Sequence, residues 1–230
     1  MRAVQLAVTA MLASPALATE PVDLRKLPMS EPTLVSSFGP AKVQFGERRV
    51  PAGKGPHPVA IIYHGGCLMR AVDDVRGTAA IATALTAKGV ATWNVDYRAL
   101  GDAGVGYPGT YQDWGAAADH LRTLAKANRL DLSRVVAVGH SAGAPAAVFV
   151  SARPKLPSPA TYLPTGVPLT LISSSFVLPM PLAESYEARG VAAGDRVEVI
   201  KIDGDHCNVI APGQPQWIQV EAVILRALGK

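Results

Sequence analysis

Ser141 stands at the centre of the pentapeptide Gly139-His140-Ser141-Ala142-Gly143, a G-x-S-x-G pattern. The apolar run Val135 to Val138 precedes it and the alanine-rich stretch Ala144 to Ala152 follows, so the pattern reads as a strand, a sharp turn and a helix. A serine on such a turn is held in a strained backbone conformation that lifts its hydroxyl off the end of the sheet. The flanking glycines let strand and helix approach closely. The chemistry this allows is nucleophilic attack by a side-chain oxygen. A serine hydroxyl is a weak nucleophile at neutral pH and needs a base within hydrogen-bond reach. Of the five histidines, His206 is the one placed for that role, in the polar turn Asp203-Gly204-Asp205-His206-Cys207-Asn208 between the last strand and the terminal helix. His57 reads as loop surface, His120 as part of an amphipathic helix, and His140 as the variable residue of the pentapeptide.

Acyl transfer also needs donors aimed at the developing oxyanion, each worth on the order of 3 kcal/mol. The backbone N–H of Ala142 is one. The segment His64-Gly65-Gly66-Cys67 can supply others, because its glycines let backbone amides come close to a substrate.

The elements that must position these groups alternate along the chain. The continuous apolar run Pro58 to Tyr63 has the pattern of a buried parallel strand and ends at His64. A helix is expected over Asp73 to Lys88 with Gly89 as its stop, a strand over Val90 to Val95, and a helix over Tyr111 to Asn128. After the helix that follows Ser141 come a proline-rich stretch from Pro154 to Pro168 and a strand from Leu169 to Ile172. A short helix around Ala183 to Val191, a strand from Arg196 to Ile202 and a helix from Gln216 to Leu228 complete the chain. Val43 to Phe45 and Arg49-Val50 read as edge-strand fragments, and Thr19 to Glu31 as an extended arm. Strands alternating with helices predict an α/β fold, a mostly parallel central sheet with helices on both faces, and Ser141 at the carboxyl end of a central strand, where open α/β sheets bind ligands.

The chain has 230 residues, of which 49% are hydrophobic and 17% charged, enough to bury a sheet on both faces in one domain. The net charge of +4 comes from scattered lysines and arginines without a polybasic block, so nucleic acid is not an expected partner. Arg2, the apolar run Ala3 to Ala13 and the small residues of Ala16-Leu17-Ala18 form a signal-peptide pattern with cleavage after Ala18. The expectation is an exported protein, periplasmic or secreted, with residues 19–230 as one domain. No later segment is long and apolar enough to enter a membrane.

Taken together, His64-Gly65-Gly66-Cys67, Asn94-Val95-Asp96-Tyr97-Arg98, Tyr107 to Asp113, Gly139 to Gly143 and Gly204-Asp205-His206 resemble the α/β-hydrolase fold. Within it they are similar to esterases related to kynurenine formamidase (arylformamidase) and to the hormone-sensitive-lipase-like carboxylesterases. The resemblance implies that Ser141 is the nucleophile, His206 the general base, and the amides of Gly66, Cys67 and Ala142 the oxyanion hole. It implies a small carboxylic ester or aryl-amide as substrate, and a structural role for Asp96, Tyr97 and Arg98.

One expected part is missing. Such enzymes carry an aspartate in the loop after the penultimate strand, where this chain reads Ile172-Ser173-Ser174-Ser175-Phe176-Val177-Leu178-Pro179. Glu184, about one helical turn further on, is the first substitute, and Asp205 ranks below it because it adjoins His206 directly. The remaining readings are a Ser-His dyad without an acid, or a catalytically impaired hydrolase-fold binding protein. The connector between the Ser141 helix and the next strand is also short, which shortens the fold and leaves little or no cap. Cys67 and Cys207 flank the two functional loops, and a disulfide between them is open in an oxidising compartment. His64, Cys67, His206 and Cys207 sit at spacings that zinc accepts, but the resemblance accounts for both histidines otherwise. No metal or other cofactor is expected.

Overall fold

The computed structural model describes residues 23–152, 164–174 and 178–230. The expected signal peptide, residues 1–18, lies outside the described residues, as do most of the proline-rich connector and residues 175–177. Among the described residues there are seven strands: β1 (Leu34–Ser37), β2 (Phe45–Arg49), β3 (His57–Tyr63), β4 (Ala91–Val95), β5 (Leu130–Gly139), β6 (Leu169–Ser173) and β7 (Val197–Lys201). The helices are α1 (Ala79–Ala87), α2 (Gly109–Asn128), α3 (Ala144–Ala152), α4 (Met180–Ala192) and α5 (Pro215–Ala227).

Five strands form one sheet in the order β1-β2-β4-β3-β5. β4, β3 and β5 are parallel, with Ile61 of β3 beside Trp93 of β4 and Ala137 of β5, while β2 pairs antiparallel with β4 and β1 antiparallel with β2 at the other end. Every residue of β3 is buried, and its side chains divide between two cores. Ala60 and Ile62 pack with Leu85 of α1 and Trp217, Val220 and Ile224 of α5. Val59, Ile61 and Tyr63 pack with Trp93 of β4, and with Trp114 and Leu121 of α2. A strand covered on both faces needs apolar residues at every position, which explains the unbroken apolar run. The expected fold class is thus what the structure contains.

The sheet is not continuous. β6 and β7 pair with each other in parallel, forming a separate two-stranded sheet. Among the described residues no strand lies between β5 and β6. Among the described residues no strand pairs with the outer edge of β5, and Leu132 at 42% and Val135 at 40% exposure stand on a strand whose neighbour β3 is wholly buried. A cavity of about 1130 Å³ occupies the gap.

Local chemistry explains where the boundaries depart from the periodicity. The stretch expected as one helix from Asp73 begins as a 3-10 turn over Val75–Thr78, because the Asp74 carboxylate accepts the Arg76 N–H and fixes the entry there. The two edge fragments around residues 43–50 are a single strand, β2. The polar, largely exposed β1 has no alternation to reveal it. His57 is not on a surface loop: it opens β3 and is buried.

Candidate active site

The turn after β5 holds Ser141 at φ +52°, in the left-handed region that a non-glycine residue rarely occupies. The glycines on either side explain how the turn closes. A Cβ on Gly139 would lie 2.2 Å from the Gly143 carbonyl oxygen, and a Cβ on Gly143 would lie 2.3 Å from that of Tyr63. Both contacts are impossible for a real methyl group, so only glycine lets α3 start directly against β3 and β5. The His140 N–H donates to the Tyr63 carbonyl at 3.1 Å and the Gly143 N–H to the His140 carbonyl at 2.8 Å, locking the turn to β3.

The loop after β3 packs against this turn. A Cβ on Gly65 would come within 3.0 Å of the Ser141 Cβ, so the loop backbone touches the serine directly. Gly66 (φ +91°), Cys67 (φ +54°) and Leu68 (φ +58°) are successive left-handed residues. The N–H groups of Gly66, Cys67 and Ala142 donate to no acceptor among the described residues. His64 anchors the loop: its ring stacks on Tyr97 at 4.4 Å, its Nδ1 lies 2.9 Å from the Gly65 carbonyl, and its Nε2 lies 3.3 Å from Asp96. Asp96 also receives both bonds of the Arg70 Nη1, at 3.0 and 2.8 Å, while the Tyr97 hydroxyl donates to the His64 carbonyl at 2.5 Å. Arg98 forms a fork with Asp113 of α2. Asp96 and Tyr97 therefore brace the loop from behind, Arg98 anchors the same segment to α2, and none of the three lines the cavity at Ser141.

His206 follows β7 and shares the wall of the 1130 Å³ cavity with Ser141. The remaining walls are mostly apolar and include Val136 and Val138 of β5, Leu171 and Ile172 of β6, and Val220 and Val223 of α5. The His206 ring lies against the His140 ring, with centroids 4.5 Å apart. His140 Nε2 donates to the His206 backbone carbonyl at 3.0 Å. Burial pushes the His206 ring below the usual histidine pKa, and the neighbouring Asp205 charge works in the opposite direction. Burial is also the main cause that pushes His140 down to about 4. Both rings are thus neutral at neutral pH, as a general base must be before it acts.

No hydrogen bond joins Ser141 to His206 among the described residues. The carboxylates proposed from sequence do not reach the base either. Glu184 is exposed on α4 and makes no hydrogen bond or ion pair with His206. The Asp205 carboxylate accepts the Cys207 N–H at 2.8 Å and is committed to that turn. Cys67 is exposed, Cys207 is partly buried, and the two are not bridged. Burial, Asp205 and Asp73 all raise the Cys207 thiol pKa. Among the described residues no group of three or more His, Cys, Asp or Glu side chains could hold a metal ion, and no helix is long and apolar enough to cross a membrane.

Sequence reasoning treated His140 as filler, and only the structure shows it against His206. Asp73 was missed as well: its Cβ backs Gly66 so closely that a methyl group there would approach to 2.6 Å. No local pattern marks either contact: His140 and His206 lie 66 residues apart, and Asp73 meets Gly66 only through the fold of the loop they share.

The family model described as BD-FAE matches residues 49–162, a span that holds both the His64 loop and Ser141. No curated protein matches the chain at a significant level. Among solved structures, a bacterial heroin esterase superposes with a TM-score of 0.63 at 17% identity, over 80% of this chain and 79% of its own. Esterase 2 of Thermogutta terrifontis gives a TM-score of 0.67 at 15% identity over 85% and 93%. The HSL-homolog EstE7 from a metagenome library gives 0.65 at 17% identity over 89% and 88%. The chain resembles these carboxylesterase-type enzymes in architecture, and with its sheet order and its serine turn at the carboxyl edge of β5 it has the α/β-hydrolase fold.

Proposed function

We propose that the protein is a serine hydrolase of small carboxylic esters, working through an acyl-enzyme on Ser141. The observation that carries this reading is the strained serine at φ +52°, touched by a loop whose Gly66 and Cys67 amides donate to no acceptor among the described residues, and sharing one cavity with a neutral His206. In the first half-reaction the Ser141 Oγ forms a bond to the ester carbonyl carbon while its proton passes to the His206 ring. The carbonyl oxygen, now an anion, takes the N–H groups of Gly66, Cys67 and Ala142. Collapse breaks the bond to the alcohol oxygen, which leaves with the proton from His206. Water then attacks the acyl carbon by the same route, giving the free acid and restoring the serine. The apolar cavity beside Ser141 suits an uncharged acyl group. An aryl-amide substrate fits the same chemistry. Export to the periplasm or the medium belongs to this reading through the Ala16-Leu17-Ala18 pattern.

The missing orienting carboxylate supports a second reading, a hydrolase-fold binding protein with little turnover. One experiment separates the two. Thermogutta terrifontis esterase 2 is seen phosphorylated by paraoxon, which makes that reagent a fitting probe. The hydrolase reading expects release of p-nitrophenol from p-nitrophenyl butyrate and a phosphoryl mass increment on Ser141. Both should vanish in Ser141→Ala. Equal rates for wild type and Ser141→Ala would remove the nucleophile assignment, and an unlabelled, inactive wild type would favour the binding protein.

A further inference from the structure

A base acting on Ser141 must be held in one orientation, and no carboxylate among the described residues holds the His206 ring. His140 is in contact with it instead. We propose that His140 is a positioning residue for the base: it holds the backbone of the His206 loop from the serine turn and backs the His206 ring with its own. This rests on the reading of Ser141 and His206 as nucleophile and base.

Three features support it. A carbonyl only accepts, so the bond from His140 Nε2 to the His206 oxygen puts the ring proton on Nε2 and leaves Nδ1 as an acceptor. Nδ1 is shielded from water, has no hydrogen-bond partner among the described residues, and faces the oxyanion loop, where a Cβ on Gly65 would come within 3.1 Å of it. An unsatisfied buried acceptor is costly, and its retention beside two functional loops marks a site where packing serves another end. The ring face of His140 also lies against the His206 ring at 4.5 Å and 31°. A neutral ring there leaves His206 free to accept the serine proton without a second cation beside it. His140 is itself rigid, since its N–H and its carbonyl are tied to Tyr63 and Gly143. The serine's own neighbour therefore ties the loop that carries the base to the serine turn.

The test compares His140→Phe, which keeps a flat ring but has no donor, with His140→Gln, whose side-chain amide can donate to the same carbonyl. Turnover of p-nitrophenyl butyrate and the rate of Ser141 labelling by paraoxon are read on samples with native circular dichroism. Loss of the donor should lower kcat and the labelling rate roughly tenfold to a hundredfold with KM within about twofold, and glutamine should recover most of it. Full rates in His140→Phe, or a glutamine variant as impaired as phenylalanine, would overturn the proposal. Nitrogen NMR of 15N-histidine-labelled wild type needs neither variant to fold nor any catalysis. A His140 proton on Nε2 in slow exchange is expected, and a proton on Nδ1 would overturn the assignment. Wild type that neither turns over nor takes label would remove the hydrolase reading and leave the tautomer to decide this one.

Discussion

The Nε2 of His140 lies 3.0 Å from the backbone carbonyl of His206, and the two imidazoles face each other at 4.5 Å. The contact joins residues 66 positions apart and ties the turn after β5 to the loop after β7. It also has a thermodynamic consequence. The His140 pKa falls from 6.5 to about 4 on folding, so between those values the unfolded chain binds the proton more tightly. Stability from this group is complete above pH 6.5 and is lost as pH falls through about 4. The full effect is about 3 kcal/mol. Urea unfolding of wild type should therefore weaken between pH 7 and 4 more steeply than that of His140→Phe, by an amount of this order. Parallel curves for the two proteins would contradict the neutral buried ring.

The base has its own pH signature. Burial lowers the His206 pKa while Asp205 raises it, so the acid limb of kcat/KM should fall below the ordinary histidine value. Asp205→Asn keeps an oxygen for the Cys207 N–H but removes the charge. The sign is fixed: without the raising influence, the limb moves to lower pH. A shift to higher pH would show that another group titrates.

Strain at Ser141 predicts opposite effects on activity and stability. Ser141→Gly removes a side chain from a residue at φ +52° and should raise the unfolding free energy by about 1 kcal/mol while abolishing turnover. Thermal unfolding beside an esterase assay checks both at once. A destabilised glycine variant would mean that the serine side chain contributes packing or bonds that outweigh the strain.

The turn glycines tolerate no methyl group. Gly143→Ala would place a Cβ against two backbone carbonyls of β3 and the loop after it, at 2.3 and 2.5 Å. Backbone cannot yield as a side chain does, so a loss of about 3 kcal/mol or more is expected, read as a fall in Tm. Gly101→Ala, where no atom lies within 4 Å of the new Cβ, is the comparison: its φ of +98° confines its cost to local backbone strain.

The two thiols should react in order. Cys67 is exposed on the oxyanion loop, whereas Cys207 is partly buried with its pKa raised. Native protein treated with a disulfide reagent at pH 8 should lose Cys67 first, and activity with it, because a mixed disulfide crowds the amide at that position. Denatured, unreduced protein should titrate as two thiols.

Much of this was legible because burial on both faces and glycine-dependent turns leave strong local patterns. β3 shows as an apolar run, and α3 occupies the span Ala144–Ala152 in both sequence and structure. The serine turn and the His64 loop are legible for the same reason, since each needs glycine at fixed offsets. The relation of His140 to His206 is not. It depends on how β7 is placed against β5, and nothing in a six-residue polar turn encodes a contact 66 residues away. Glu184 illustrates the same limit: spacing after a strand says how far a carboxylate is along the chain but not which way its helix faces, and α4 carries it into solvent. The discontinuity after β5 was half legible, as a connector too short and too rich in proline to supply a ladder strand.

That discontinuity places Ser141 and His206, the proposed nucleophile and base, on opposite sides of a seam. Ser141 rides on the five-stranded sheet, and His206 follows a two-stranded sheet that shares no backbone ladder with it. The smaller sheet is held to the larger by side-chain packing, chiefly through Ile202, Val209 and α5. Such a part can open as a cooperative unit at lower free energy than the whole molecule. Amide exchange in β6 and β7 should then run ahead of exchange in β3 and β4. Each opening would separate nucleophile from base without unfolding either, so heat or mild denaturant should silence the site well before the main sheet melts.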